Sequence, residues 1–272
     1  MTASRRVQVP DGALACEEAG AGPAVVLLHG FSFDRRLWNP LFPALSDGYR
    51  VVRYDLRGFG ASTPPALGRG HVADLVVLLD DLGIERATLV GLSLGANVAL
   101  AAALDHPDRV DGLVLASPGL PGHQWSQERP PEAALAVAAR HGVEAARRFW
   151  LDHPVFASTR AYPPARAALE QMVASFPAHQ WRGAPVTPPL PAVADRLGMV
   201  ETPTLVVNGE LDVDGYREIG SLIAHRVPRA AHVTVPAAGH VMCLERPDEF
   251  ERALRGFLVQ LAGAPSVTTP DR

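Results

Sequence analysis

The segment Leu89–Leu100, LVGLSLGANVAL, contains a corner that few folds can use. Apolar residues run up to Gly91, Ser93 stands between two leucines, Gly95 follows, and apolar residues at helical spacing begin at once. The pattern Gly-x-Ser-x-Gly therefore falls between an expected strand and an expected helix, the context that gives this short motif its meaning. So sharp a turn requires small flanking residues, because a Cβ at Gly91 or Gly95 would crowd neighbouring backbone. It holds the serine Oγ at the carboxyl edge of a sheet, beside the positive end of the next helix. A serine there is either a plain helix N-cap or a nucleophile, and the strand–turn–helix context favours the nucleophile.

The rest of the chain supports a sheet around that corner. RVQV and LACEEA flank the turn signal PDG and read as a hairpin. PAVVLLHGF, YRVVRYDLRGFGAS, ATLVGLS and VDGLVLASP read as buried strands. Between them RRLWNPLFPAL, limited by Pro40 and Pro43, then 71–82 and LGANVALAAALDHP have helical spacing. This alternation predicts an α/β protein with a mostly parallel sheet and helices on both faces. The pattern breaks after Pro118 and returns at Thr202. The expected division is a first core part over 1–119, an inserted helical cap over 120–197, a second core part over 198–262 and a disordered tail over 263–272. The second core part carries the strand TPTLVVNGE, a helix from about Gly215 to Arg226, the strand AHVTVPAAGH and a last helix PDEFERALRGFLVQLA.

Composition removes several classes of function. All 25 basic residues are arginine, so Schiff-base, pyridoxal-phosphate and P-loop lysine chemistry are excluded. Cys16 and Cys243 form no CxxC and the ten histidines form no HExxH, so neither a disulfide framework nor a metal is expected. GAG at 20–22 and GFG at 58–60 lack the third spaced glycine of a dinucleotide site, and no cofactor is expected. A net charge of −4 without a basic run argues against nucleic acid and anionic membranes. The amino-terminal residues carry no apolar signal region, and the apolar runs are too short to span a bilayer. The expectation is a cytoplasmic protein, monomer or homodimer, whose partner is a small-molecule substrate.

A serine is a weak nucleophile without a base. His240, just past the last expected strand, can lean over the same sheet edge, whereas His106 and His179 suit surface roles. The base in turn needs an acid to fix its tautomer and stabilise the imidazolium. Asp212 follows the penultimate strand, with Glu210 and Asp214 as neighbouring rivals; the spacing from Gly209 favours Asp212. The strand ending at Ser117 offers no carboxylate, and Asp55 and Arg57 read as loop braces.

The order Ser93, Asp212, His240, with VVLLHGF, YDLRGFGAS, LVGLSLGANVALAAALDHPDRV, LVVNGELD and GHVMCLERPDEF, resembles the α/β-hydrolase fold family. It is similar in particular to the capped carboxylesterases, enol-lactonases and meta-cleavage-product hydrolases. The resemblance implies a catalytic triad of those three residues and an oxyanion hole formed by the backbone N–H groups of Phe31 and Leu94. It implies hydrolysis of an ester or lactone through an acyl-enzyme, with C–C bond hydrolysis, a cofactor-free lyase or cyclase, and a ligand receptor as alternatives. Serine at the corner counts against epoxide and haloalkane relatives, which carry aspartate there. Trp150, Phe156 and Trp181 are the cap aromatics expected at the substrate pocket.

Overall fold

Eight strands form in the computed structural model, which describes residues 2–65, 68–125, 128–183 and 187–263. They are β1 Ala3–Val9, β2 Gly12–Ala19, β3 Ala24–Leu28, β4 Arg50–Tyr54, β5 Ala87–Leu92, β6 Val110–Ala116, β7 Thr204–Gly209 and β8 Ala230–Val235. One sheet joins them in the order β1-β2-β4-β3-β5-β6-β7-β8. β2 runs antiparallel to both β1 and β4, and every pairing from β4 to β8 is parallel.

The topology selects one place on this sheet. The chain steps from β3 out to β4, then returns past β3 to β5 and continues outward. Strand order thus reverses at β3/β5, and in open α/β sheets ligands bind outside the carboxyl ends at such a point. Leu28, the last residue of β3, is paired with Gly91 near the end of β5. The loops that follow β3, β5, β6, β7 and β8 leave from this same edge because those strands are parallel.

Among the described residues nine α-helices accompany the sheet: α1 Leu41–Leu45, α2 His71–Asp81, α3 Leu94–Asp105, α4 Pro130–His141, α5 Val143–Asp152, α6 Pro163–Ser175, α7 Asp214–Arg226, α8 Met242–Glu245 and α9 Pro247–Gly263. α3 is buried at nine of its twelve residues, so small side chains are needed to let it lie close to the strands. The region Arg35–Leu45 is not one helix. It splits into a 3-10 turn at Arg35–Trp38, capped by the Asp34 carboxylate on the Arg36 amide at 2.9 Å, and α1. Pro40 and Pro43 supply no N–H, so a continuous hydrogen-bond ladder cannot pass through them. The four-residue α8 is too short to leave a periodic signal in the sequence.

Between β6 and β7 the described residues hold α4, α5 and α6 with 3-10 turns at Pro154–Ala161, Gln180–Arg182 and Ala194–Met199, and no strand. This segment reaches the loops at the carboxyl edge. Trp150 Nε1 donates to Ser32 Oγ at 2.7 Å, and the Tyr162 hydroxyl donates to the Ala237 carbonyl at 2.7 Å. Gly263 closes α9, and the remainder of the tail expected over 263–272 lies outside the described residues. Among the described residues no helix is long and apolar enough to cross a membrane.

Candidate active site

Ser93 sits between β5 and α3 with φ 52° and ψ −107°, and its side chain makes no capping bond to α3. The plain N-cap reading therefore fails, and the hydroxyl is left available. The flanking glycines are sterically required. A Cβ on Gly91 would stand 2.3 Å from the Gly95 carbonyl carbon, and one on Gly95 would stand 2.1 Å from the Leu28 oxygen.

His240 lies in the loop after β8 and is buried, and its Nδ1 stands 3.2 Å from each Asp212 carboxylate oxygen. An ionised carboxylate only accepts hydrogen bonds, so Nδ1 is the donor here and Nε2 is the nitrogen left to act as a base. Asp212 is held from three sides. Ser117 Oγ donates to its Oδ2 at 2.7 Å, the Val213 amide donates to its Oδ1 at 2.8 Å, and its own amide donates to the Gly209 carbonyl at 3.2 Å. The rivals point elsewhere: Glu210 accepts from the Ala237 amide at 2.8 Å, and Asp214 pairs with Arg217 on the exposed start of α7.

Ser93 and His240 line one small cavity with Trp150 and Phe156, two of the three expected aromatics. The third, Trp181, stands behind them, its ring 5.9 Å from that of Phe31. Phe31 and Leu94 follow β3 and Ser93 respectively, and among the described residues neither amide donates to a protein acceptor. His29 fixes the first of these turns: its Nε2 accepts from the Leu56 amide at 2.9 Å, so its Nδ1 is the protonated nitrogen and donates to the Gly30 carbonyl at 2.8 Å. Full burial keeps this imidazole neutral by lowering its pKa. Asp55 and Arg57 are braces, as their loop positions suggest. Asp55 receives the Arg35 amide and guanidinium and the Ala61 amide, and Arg57 forms a buried pair with Asp74 at 2.7 Å.

A sequence model of the alpha/beta hydrolase fold matches residues 23–247. The chain belongs to the α/β-hydrolase family. A Bacillus subtilis (strain 168) protein provisionally named 2-succinyl-6-hydroxy-2,4-cyclohexadiene-1-carboxylate synthase is 30% identical, over 94% of this chain and 98% of its own. The solved structure of Est816, described as an N-acyl homoserine lactone degrading enzyme, is 31% identical with a TM-score of 0.80, covering 93% of this chain and 100% of that one. A thermophilic esterase from Thermogutta terrifontis, solved with malate bound, is 29% identical with a TM-score of 0.82, covering 96% and 99%.

This α/β-hydrolase also places a group at the cavity that periodicity and motif did not reveal. Tyr216, in the first turn of α7, lines it, and its ring centroid is 4.2 Å from that of His240. Burial raises the Tyr216 phenol pKa, nearby Asp212 raises it further, and interaction with the Ser93 side chain opposes both. The only advance signal was position: Tyr216 lies four residues past Asp212, where a helix begins at the same sheet edge. Glu245 of α8 does not line the cavity but supports the loop that carries His240. It accepts from Ser158 Oγ at 2.8 Å and from the Gly239 amide, which ties the His240 loop to the inserted segment. Burial raises the Glu245 pKa against those hydrogen bonds. Among the described residues no group of three His, Cys, Asp or Glu side chains converges as a metal site would need.

Proposed function

We propose that this α/β-hydrolase is a serine hydrolase that cleaves an ester or lactone of a small, partly apolar substrate. The observation that carries the reading is the uncapped Ser93 hydroxyl, sharing a cavity with a histidine whose Nδ1 is held by Asp212. In this reading His240 Nε2 takes the Ser93 proton as Oγ attacks the carbonyl carbon. The Phe31 and Leu94 amides receive the developing oxyanion; losing one such donor typically costs on the order of 10²–10³ in rate. The imidazolium then gives its proton to the departing alkoxide, leaving an acyl-enzyme. His240 next removes a proton from water, the hydroxide adds to the acyl carbon, and the acid leaves as Ser93 Oγ regains its proton.

Residues 120–197 act as a cap that excludes water and shapes the pocket, with Trp150 and Phe156 on its wall. The names of the lactone-degrading and esterase relatives support ester or lactone chemistry. Fluorophosphonate labelling, with Ser93→Ala as control, tests the nucleophile; a panel of 4-nitrophenyl esters and lactones then tests the reaction. No labelling of Ser93 in folded protein would sink the proposal. The synthase name of the Bacillus relative favours one second reading, a cofactor-free lyase using the same histidine as base. Labelled protein that turns over no ester or lactone would favour that reading.

A further inference from the structure

Beside Ser93 and His240 the cavity holds only about 10 Å³, room for one water. Any substrate with bulk has to extend elsewhere. A second cavity, of about 330 Å³, has Leu94, the residue next to Ser93, on its wall. That volume falls within the roughly 300–1,000 Å³ typical of small-molecule sites. Its wall combines Leu94 and Asn97 of α3 with Leu120 and Leu190 from the segment after β6, and with His71 and Arg129.

The polar groups on this wall are unusual. His71 Nδ1 and Asn97 Oδ1 are buried without a hydrogen-bond partner among the described residues. Both atoms are shut off behind the wall surface, so the charged group that a ligand in the cavity can reach is Arg129. Arg129 is the single formally charged side chain among the described lining residues, because burial pushes His71 ionisation down to about 3. The Arg129 guanidinium pairs with Glu132 at 3.1 Å, both side chains 48% exposed. An exposed pair of that kind is weak, so the guanidinium can change partner.

We propose that the second cavity is a subsite for a substrate arm ending in a carboxylate: an ester whose acid part carries a second carboxyl group, its chain along Leu94 and Leu120 and its charge on Arg129. We place the arm on the acid part, so that glutarate itself carries both the reacting carboxyl group and the arm. This rests on the hydrolase reading, but the subsite can be tested by binding alone.

Glutarate, the diacid released from such an ester, is titrated by calorimetry into the wild type and Arg129→Gln, with pentanoate as the neutral-ended control. Glutarate should bind the wild type more tightly than pentanoate, and its Kd should rise about 10- to 100-fold in the variant, the scale of one charged hydrogen bond. The kcat/KM for mono(4-nitrophenyl) glutarate should fall in Arg129→Gln by about that factor relative to 4-nitrophenyl pentanoate, and Arg129→Lys should recover part of the loss. Equal binding of the two acids, or an Arg129→Gln variant that slows both esters alike, overturns the subsite. Fluorophosphonate labelling reports separately: arginine-dependent glutarate binding without labelling supports the subsite and sinks the hydrolase reading, while labelling without that binding does the reverse.

Discussion

Ser117, the residue after β6, donates from its Oγ to Oδ2 of Asp212, the residue three past the end of β7, at 2.7 Å. The end of β6 carries no carboxylate of its own, but it supplies a buried hydroxyl to the carboxylate of its neighbour strand. Removing a hydrogen bond to a charged group costs about 1.5–3 kcal/mol. Ser117→Ala should therefore lower kcat/KM on a small ester by about ten- to one-hundred-fold while the thermal transition stays cooperative. A variant as active as the wild type would mean that the Val213 amide and His240 suffice to orient Asp212.

Ser93 is held at φ 52°, a left-handed conformation that L side chains rarely adopt. A non-glycine residue there stores about 1–3 kcal/mol of strain. Ser93→Gly should remove that strain and, like Ser93→Ala, lower kcat by about 10⁶. The distinguishing measurement is stability: the glycine variant should unfold at higher denaturant concentration than the alanine variant. Equal midpoints would show that the corner is relaxed and that Ser93 is not held there against a conformational preference.

The alternation of apolar runs made the sheet legible, because buried parallel strands and amphipathic helices leave different periods in the sequence. Ser93 was legible through its glycines, each of which has backbone where a Cβ would go. His240 and Asp212 were legible because parallel strands deliver their following loops to one edge. Tyr216 was not: a tyrosine inside a helix gives no sign of which ring it will face, and here it faces His240 at 4.2 Å. Arg129 and His71 were hidden for a related reason. They come to one cavity from α2 and from the chain before α4, a juxtaposition set by tertiary packing and not by spacing.

His71 makes stability depend on pH. Complete burial, with help from the positive Arg57 guanidinium, lowers its pKa from 6.5 to about 3. The unfolded chain takes up the proton below 6.5, whereas the folded chain does not until about 3. Stability from this group is therefore complete above pH 6.5 and is lost as pH falls toward 3, in total on the order of 4–5 kcal/mol. His71→Leu should flatten that part of the curve, measured as urea midpoints between pH 7 and pH 4. His29, lowered for the same reason, supplies slope that the variant retains. An unchanged slope in His71→Leu would show that this imidazole takes up its proton at the same pH in the folded and unfolded chain.

The three aromatics of the inserted segment should not behave alike. Trp150 and Phe156 line the cavity with Ser93 and His240, whereas Trp181 contacts the Phe31 and Phe176 rings behind it. Trp150 carries a second duty, since its Nε1 holds Ser32 in the turn that follows Phe31. Phe156→Leu enlarges the wall without touching that turn, so it should shift kcat/KM toward bulkier esters by about 1–3 kcal/mol, the scale of hydrophobic-pocket discrimination. Trp150→Phe keeps a ring in place but drops the donor to Ser32, so it should slow bulky and small esters together by displacing the Phe31 amide. Trp181→Phe should leave the bulky-to-small ratio unchanged. The measurement is that ratio across a series of 4-nitrophenyl esters, with fluorophosphonate labelling of Ser93 as a check that each variant is intact. A Phe156→Leu variant with an unaltered ratio would move substrate selection off this wall. If Trp181→Phe changed the ratio as Phe156→Leu is expected to, the second layer would read the substrate and the cavity beside Ser93 would open further during turnover than its present walls allow.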